Sequence, residues 1–350
     1  MHIDQIDTPA VIIDLDKLEA NIARLQTYLD EHGIANRPHI KTHKIPEIAH
    51  MQLRAGAVGI TCQKLGEVEV MAQAGIRDIF MPYNILGPVK LERLQHLARR
   101  VDLSVTADAA ATVDGYARTF AGTGVELPVL VEFDGGAGRC GVQTPQEAAD
   151  LAAYIARADG LRFDGLMTYP YSDGADAFVQ ATRALLDKQG IAIARVSAGG
   201  TPHMWQAHRH TEPTEHRAGT YVYGDRATDR AGAVTLDQCA MRILTTVVSR
   251  PVDDRAILDG GSKTFTSDSF GMFDDFGYIT EYPDARLHKF SEEHGFVDLS
   301  ACADKPEIGA RVTVIPNHCC VVSNMHDRVY GLRGDEVEVV WPVAARGKYQ

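Results

Sequence analysis

Over its first two-thirds this chain alternates short apolar runs with longer amphipathic ones, and few folds accept that rhythm. Residues 10–15 read as a strand. Residues 16–32 follow as a helix, with Leu18, Ile22, Leu25 and Leu29 on one face. Asp16 is its expected N-cap, Glu19 the capping-box partner and Gly33 the C-cap. The pattern then repeats. Strands are expected at 37–41, 59–62, 79–82, 103–106, 127–133, 163–169, 195–198 and 220–223. Helical runs lie between them, among them 89–100, 145–158 and 177–188. Such alternation means parallel strands with crossover helices. About eight units suit a closed (β/α)8 TIM-like barrel better than an open sheet.

The texture changes after residue 230. Alternating segments take over at 242–248, 256–258, 276–281, 311–315, 328–332 and 336–341. Turn signals such as Gly260-Gly261 and Arg333-Gly334-Asp335 punctuate them. The expected fold class is α/β: a barrel over residues 1–230, then a smaller, mainly β C-terminal domain over 231–350. The first residues are candidates to pair into that β domain.

A barrel directs attention to the C-terminal ends of its strands. Arg37-Pro38-His39-Ile40-Lys41-Thr42-His43-Lys44 puts two lysines and two histidines at one such end. Burial and cationic neighbours lower a lysine's pKa and free its amine as a nucleophile, which a Schiff base requires. Gln63 ends the next strand. Arg139 lies in Asp134-Gly135-Gly136-Ala137-Gly138-Arg139-Cys140-Gly141-Val142, with four glycines in nine residues, which lets backbone approach a ligand closely. Ser197-Ala198-Gly199-Gly200-Thr201-Pro202 and Ala218-Gly219-Thr220-Tyr221-Val222-Tyr223 follow the positions where barrels often bind phosphate.

In the β region, Pro316-Asn317-His318-Cys319-Cys320 spaces His318 and Cys320 two apart. On an extended segment both face one side and Cys319 the other. Imidazole and thiolate together suit zinc or a similar divalent ion. Two ligands fall short of a structural zinc site, so open water positions would make it catalytic in character.

Composition narrows the classes. With 45% hydrophobic and 23% charged residues in 350, the chain reads as soluble and globular. A net charge of -12 argues against nucleic acid or an anionic membrane as partner. No apolar run approaches a membrane span, and Met1-His2-Ile3-Asp4, with neither a basic start nor an apolar core, is not expected to open a signal peptide. Six scattered cysteines suit a reducing cytoplasm.

Together these residues resemble the fold-type III pyridoxal phosphate (PLP) enzymes, the alanine racemase-like barrels. More narrowly the chain is similar to the D-threonine aldolase and D-serine dehydratase family. The likeness runs nearly end to end: Asp7-Thr8-Pro9-Ala10, the segment 37–44, the Gly-Arg-Cys-Gly-Val loop, Glu292-Glu293-His294-Gly295 and Pro316-Asn317-His318-Cys319-Cys320. The resemblance implies that Lys41, not Lys44, carries the PLP Schiff base, with His39 and Gln63 also at the cofactor. It implies that Arg139 lies near the PLP 3-oxygen and that Gly200, Thr201, Gly219 and Tyr221 cradle the phosphate. Tyr169 would border the substrate as a catalytic residue. His318 and Cys320 would hold a divalent metal (Zn, Mn or Mg) beside the substrate β-hydroxyl. Such enzymes are homodimers whose β domain completes the partner's active site.

Within the family the motifs divide. Cys62-Gln63-Lys64-Leu65-Gly66-Glu67 and Gly138-Arg139-Cys140-Gly141-Val142 look like the aldolases. His318-x-Cys320 and Gly200-Thr201-Pro202 look like the dehydratases. Aldolases carry a histidine shortly after the tyrosine matching Tyr169, whereas here the stretch is Pro170-Tyr171-Ser172-Asp173-Gly174-Ala175. The implied activity is a lyase acting on D-configured β-hydroxy-α-amino acids. Retro-aldol cleavage of a D-threonine-like substrate stands ahead, because its signals lie closer to the PLP-bearing barrel. The alternative is a dehydratase of the D-serine or D-3-hydroxyaspartate type. A racemase would need a tyrosine base on the opposite face of PLP, for which Tyr278, Tyr282 and Tyr330 are candidates. A non-catalytic PLP-binding protein resembles the barrel alone, and the His-x-Cys of the β domain argues against it.

Overall fold

The computed structural model describes residues 1–350. They form two compact units. One comprises residues 25–41, 48–219 and 348–350; the other comprises 1–24, 42–47 and 220–347.

The first unit is a parallel barrel. Its strands are Ala35–Asn36, Ile60–Thr61, Asp78–Met81, Asp102–Ala107, Leu127–Glu132, Leu161–Met167, Arg195–Ala198 and Glu215–His216. From Ile60–Thr61 onward each pairs with its sequence neighbour, and Ala35–Asn36 pairs back onto Glu215–His216. A parallel bridge between His39 and Thr61 joins the two ends of the sheet and closes the ring. Side chains alternate across each strand. Phe80, Leu130 and Met167 form a small cluster of their own. Ile79, Val129, Val131 and Leu166, on the opposite face, pack in the larger core with helix residues such as Leu94, Leu97, Ala149 and Ala152. The helices Pro88–Ala98, Pro145–Arg157 and Ala175–Asp187 lie close to their expected positions.

The eighth strand is Glu215–His216, not the expected 220–223. The β-branched and aromatic run at 220–223 has strand propensity, yet Thr220–Val222 is a 3-10 turn with Tyr221 and Val222 buried. Glu215 and His216 carry no apolar signal. Their burial is made possible by polar partners: Arg37 Nε donates to Glu215 Oε2 at 2.8 Å and Ser197 Oγ to Glu215 Oε1 at 2.5 Å. The first helix also starts earlier than expected, at Leu15. Asp14, rather than Asp16, accepts from the Lys17 amide at 3.1 Å. Gly33 ends that helix at φ 66°, as its position suggested.

The second unit is built on a nine-stranded sheet. Met241–Val252 is its longest strand and pairs antiparallel with Ala10–Asp14, Arg255–Leu258 and Arg311–Pro316. Gly277–Ile279, Arg286–Phe290 and Gly295–Asp298 complete a closed ring of six with Met241–Val252, Arg255–Leu258 and Arg311–Pro316. Arg328–Arg333 and Glu336–Pro342 continue the sheet beyond Ala10–Asp14. The opening strand therefore belongs to the sheet and not to the barrel. Two strands had no counterpart among the expected segments, Arg286–Phe290 and Gly295–Asp298. In the first only Leu287 is buried, among exposed His288 and Lys289, so the apolar alternation that marks a strand is nearly absent.

Candidate active site

In the barrel unit, His39 and Lys41 follow the first strand at its C-terminal end. The Lys41 amide donates to His39 Nδ1 at 3.4 Å. The other ring nitrogen, Nε2, therefore carries the proton and donates to Gln63 Oε1 at 2.9 Å. Burial, and then the Lys41 charge, hold the His39 pKa well below its ordinary value, so the ring is neutral. The Gln63 backbone amide donates in turn to Glu67 Oε2 at 2.6 Å. Lys41 itself is exposed.

The glycine-rich loop is pinned. Asp134 Oδ1 accepts from the Gly136 and Gly138 amides at 2.9 and 3.2 Å. A Cβ on Gly135 would lie 1.9 Å from the Pro170 carbonyl oxygen, so only glycine lets the loop lie against the Tyr169-Pro170 segment. Arg139 stands half-exposed, its guanidinium 5.6 Å from the centre of the Tyr169 ring and 3.7 Å from Glu132. Glu132 ends its strand almost fully buried, and burial pushes its carboxyl up to about 7, with Arg139 opposing. Arg217 is buried too, donating to Ser197 Oγ at 2.7 Å and to the Thr168 carbonyl at 2.9 Å. Burial draws its guanidinium down to about 10 against the pull of Glu215 and Glu132.

Gly199 and Gly200 follow the seventh strand. Gly199 has φ 80°, and a Cβ there would lie 2.1 Å from the His216 imidazole. A Cβ on Gly200 would lie 2.6 Å from the Tyr169 ring. Thr201 Oγ1 accepts from the Gly219 amide at 3.2 Å. These small residues form a backbone cradle of the kind that takes a phosphate. A pocket lined by Tyr169, Gly199, Gly200, His203, His210 and His216 borders it.

In the second unit, the segment at His318 is not a strand. Arg311–Pro316 ends before it, His318 is extended, and Cys319–Met325 is a helix. The alternation argument for Cys319 therefore fails. The helical turn nonetheless keeps Cys320 with His318. Their mutual charge, with Asp225, lifts the His318 pKa to about 10 although burial opposes this, while Cys319 and then His318 bonds hold the Cys320 thiol well below its usual range. His318 Nδ1 lies 3.0 Å from Asp225 Oδ2. Cys320 Sγ lies 3.3 Å from the hydroxyl of Thr42, the residue after Lys41, and 4.0 Å from that of Thr220. Tyr221 is buried in this unit, and Lys44 is buried there in the left-handed region at φ 59°.

The comparisons with known proteins decide the family. Residues 13–227 match the model for the alanine racemase N-terminal domain and 240–332 that for a putative serine dehydratase domain. D-threonine aldolase of Arthrobacter sp is 35% identical, over 98% of this chain and 93% of that protein. The chain belongs to the D-threonine aldolase and D-serine dehydratase family of alanine racemase-like proteins. 3-Hydroxy-D-aspartate aldolase of Paracoccus denitrificans is 32% identical over 99% of this chain and 94% of its own. The crystal structure of D-threonine aldolase from Filomicrobium marinum superposes with TM-score 0.89 at 31% identity, over 98% of this chain and 96% of that one. So does a metal-free cysteine-to-alanine mutant of D-threo-3-hydroxyaspartate dehydratase, at TM-score 0.89 and 28% identity over 98% of both chains.

For this family member, membership implies PLP. The residues present fit it: a lysine at the barrel mouth, a neutral imidazole, an arginine held against an aromatic ring, and a cradle that any Cβ would fill. The His318 and Cys320 pair is chemically suited to a divalent ion, because the carboxylate on Nδ1 leaves Nε2 for a metal. Three residues escaped the sequence reading. Glu132 and Arg217 are charges beside strand ends, visible as charges but not as buried ones. Asp225 follows Gly224 as a helix N-cap, a signal that says nothing of His318, far along the chain.

Proposed function

We propose that this family member is a PLP-dependent lyase that cleaves D-configured β-hydroxy-α-amino acids, D-threonine-like ones foremost, to glycine and an aldehyde. The observation that carries the reading is the barrel mouth, where Lys41, neutral His39, Gln63, Arg139 and the Gly199-Gly200 cradle stand at the strand ends. When bound, PLP supplies an electron sink and a divalent ion supplies Lewis acidity toward the β-oxygen. Lys41 would carry the cofactor, Arg139 would donate to its 3-oxygen, and Gly200, Thr201, Gly219 and Tyr221 would receive its phosphate. His39 stays neutral and so adds no charge beside the cofactor. Tyr169, braced by Gly200 and Arg139, would border the substrate. His318 and Cys320 would hold the ion. In the cleavage the β-hydroxyl loses its proton, the Cα–Cβ bond breaks, its electron pair stays with Cα, and a proton returns there. We place the enzyme in the cytoplasm as a homodimer, with all six cysteines free and no helix long and apolar enough to cross a membrane.

The second reading is dehydration, favoured by the His-x-Cys pair. Incubation with PLP, Mn²⁺ or Zn²⁺ and D-threonine separates the two. Glycine plus acetaldehyde supports the aldolase. 2-Oxobutyrate plus ammonia supports the dehydratase. Neither product from D-threonine or D-3-hydroxyaspartate would reject both.

A further inference from the structure

We infer that Asp225 is the positioning residue of the metal centre, holding His318 with Nε2 outward and setting the turn that carries Cys320. This rests on the proposed metal-binding role of His318 and Cys320.

Asp225 is completely buried. Its two oxygens face different partners. Oδ1 accepts from the Thr228 amide and hydroxyl, both at 2.8 Å, and so caps the helix Arg226–Arg230. Oδ2 lies 3.0 Å from His318 Nδ1 and accepts from the Cys319 amide at 3.1 Å. A helix cap needs only one oxygen. The second is spent on the imidazole and on the first amide of the helix Cys319–Met325. His318 is the N-cap of that helix, yet its own side chain makes no cap bond; Asp225 takes that place.

Two consequences follow from the geometry. An imidazole that donates from Nδ1 keeps the Nε2 lone pair for a metal, and its ring cannot rotate without losing the bond. Fixing the Cys319 amide fixes the turn in which Cys320 lies, so one carboxylate orients both proposed ligands. The backbone around it is held as well. The Ala227 amide donates to the Asn317 carbonyl at 3.2 Å, and Arg226 Nη1 donates to Asn317 Oδ1 at 2.7 Å. Residues 225–227 thus run along residues 317–319 as a rigid brace.

Asp225→Asn tests the inference. Asparagine caps a helix about as well as aspartate, and its single oxygen is claimed by the Thr228 amide. The amide nitrogen cannot accept from the imidazole. In the full-length PLP-loaded protein, Mn²⁺ binding followed by electron paramagnetic resonance should weaken about 10- to 100-fold, with the PLP absorbance retained. Thr228→Val removes a donor to Oδ1 and spares Oδ2, so it should lower thermal stability and leave Mn²⁺ affinity unchanged. Equal affinity in Asp225→Asn and wild type would overturn the inference. So would a Thr228→Val loss as large as that of Asp225→Asn, which would make the effect one of folding. A measurement on unaltered protein covers the case in which Asp225→Asn does not fold. In the Zn²⁺-loaded wild type, ¹⁵N spectra of labelled histidine should show His318 keeping its proton on Nδ1, and a proton on Nε2 would refute the assignment. If His318→Ala also binds Mn²⁺ like wild type, the metal reading itself is what fails.

Discussion

Glu132 offers the sharpest test of the electrostatics at the barrel mouth. Its residue is 5% exposed, and the nearest Arg139 nitrogen is 3.7 Å away, too far for a good hydrogen bond. Burial raises the carboxyl from 4.5 to about 7. That rise corresponds to about 3 kcal/mol against the charged form, at about 1.4 kcal/mol per tenfold change. Between about pH 4.5 and 7 the folded protein keeps a proton here that the unfolded chain has released. Stability must therefore fall as pH rises through that window and stay lowered above it. Glu132→Gln has the same shape and does not titrate. Relative to wild type it should gain about 3 kcal/mol between the acid and alkaline ends of the window, the pull of Arg139 being already contained in the net shift. Urea unfolding of both proteins at closely spaced pH values reads this difference. A difference between the two that does not change across the window would refute the burial argument and restore an ordinary carboxylate.

Further outcomes are expected. Lys41→Ala should abolish the borohydride-sensitive visible band of PLP, whereas Lys44→Ala should spare it; the reverse would misplace the Schiff base. Gly199→Ala forces a side chain into the His216 ring and a left-handed backbone, a cost of about 1–3 kcal/mol from the backbone alone. Its PLP affinity, measured by equilibrium dialysis, should fall, and undiminished affinity would remove this loop from the phosphate site. Cys320→Ser should weaken Mn²⁺ binding. Cys319→Ser should lower the melting temperature but keep the metal, because that buried residue contacts Asp225 through its backbone amide; loss of metal in Cys319→Ser instead would exchange the two cysteines' roles. Arg139→Ala should shift the pH titration of the visible band, and an unchanged titration with full activity would take Arg139 out of the site.

The architecture was legible because hydrophobic period is a local property. A helix such as Pro145–Arg157 buries one stripe and a strand such as Leu127–Glu132 is apolar up to its last residue, so each announces itself without its neighbours. The candidate motifs stood out for a similar reason: Lys41, Arg139 with its glycines, and His318 with Cys320 each sit in a short run of unusual residues. Where the reading failed, the deciding partner was distant. Glu215–His216 is a strand because Arg37 and Ser197 make its buried Glu215 tolerable, and no pattern within two residues could show that.

The same division runs through the site. Sequence alone determined the barrel, the following β region and the candidate side chains for the chemistry, since these depend on residue type and spacing. Only the tertiary structure decided that Glu215–His216 rather than 220–223 forms the eighth strand, that Cys319 and Cys320 open a helix, and that Asp225 lies on His318. Those outcomes depend on which groups share a buried hydrogen bond. A buried carboxylate must find donors wherever the fold brings them, and for Asp225 they came from residues 318 and 319 as well as from its own helix.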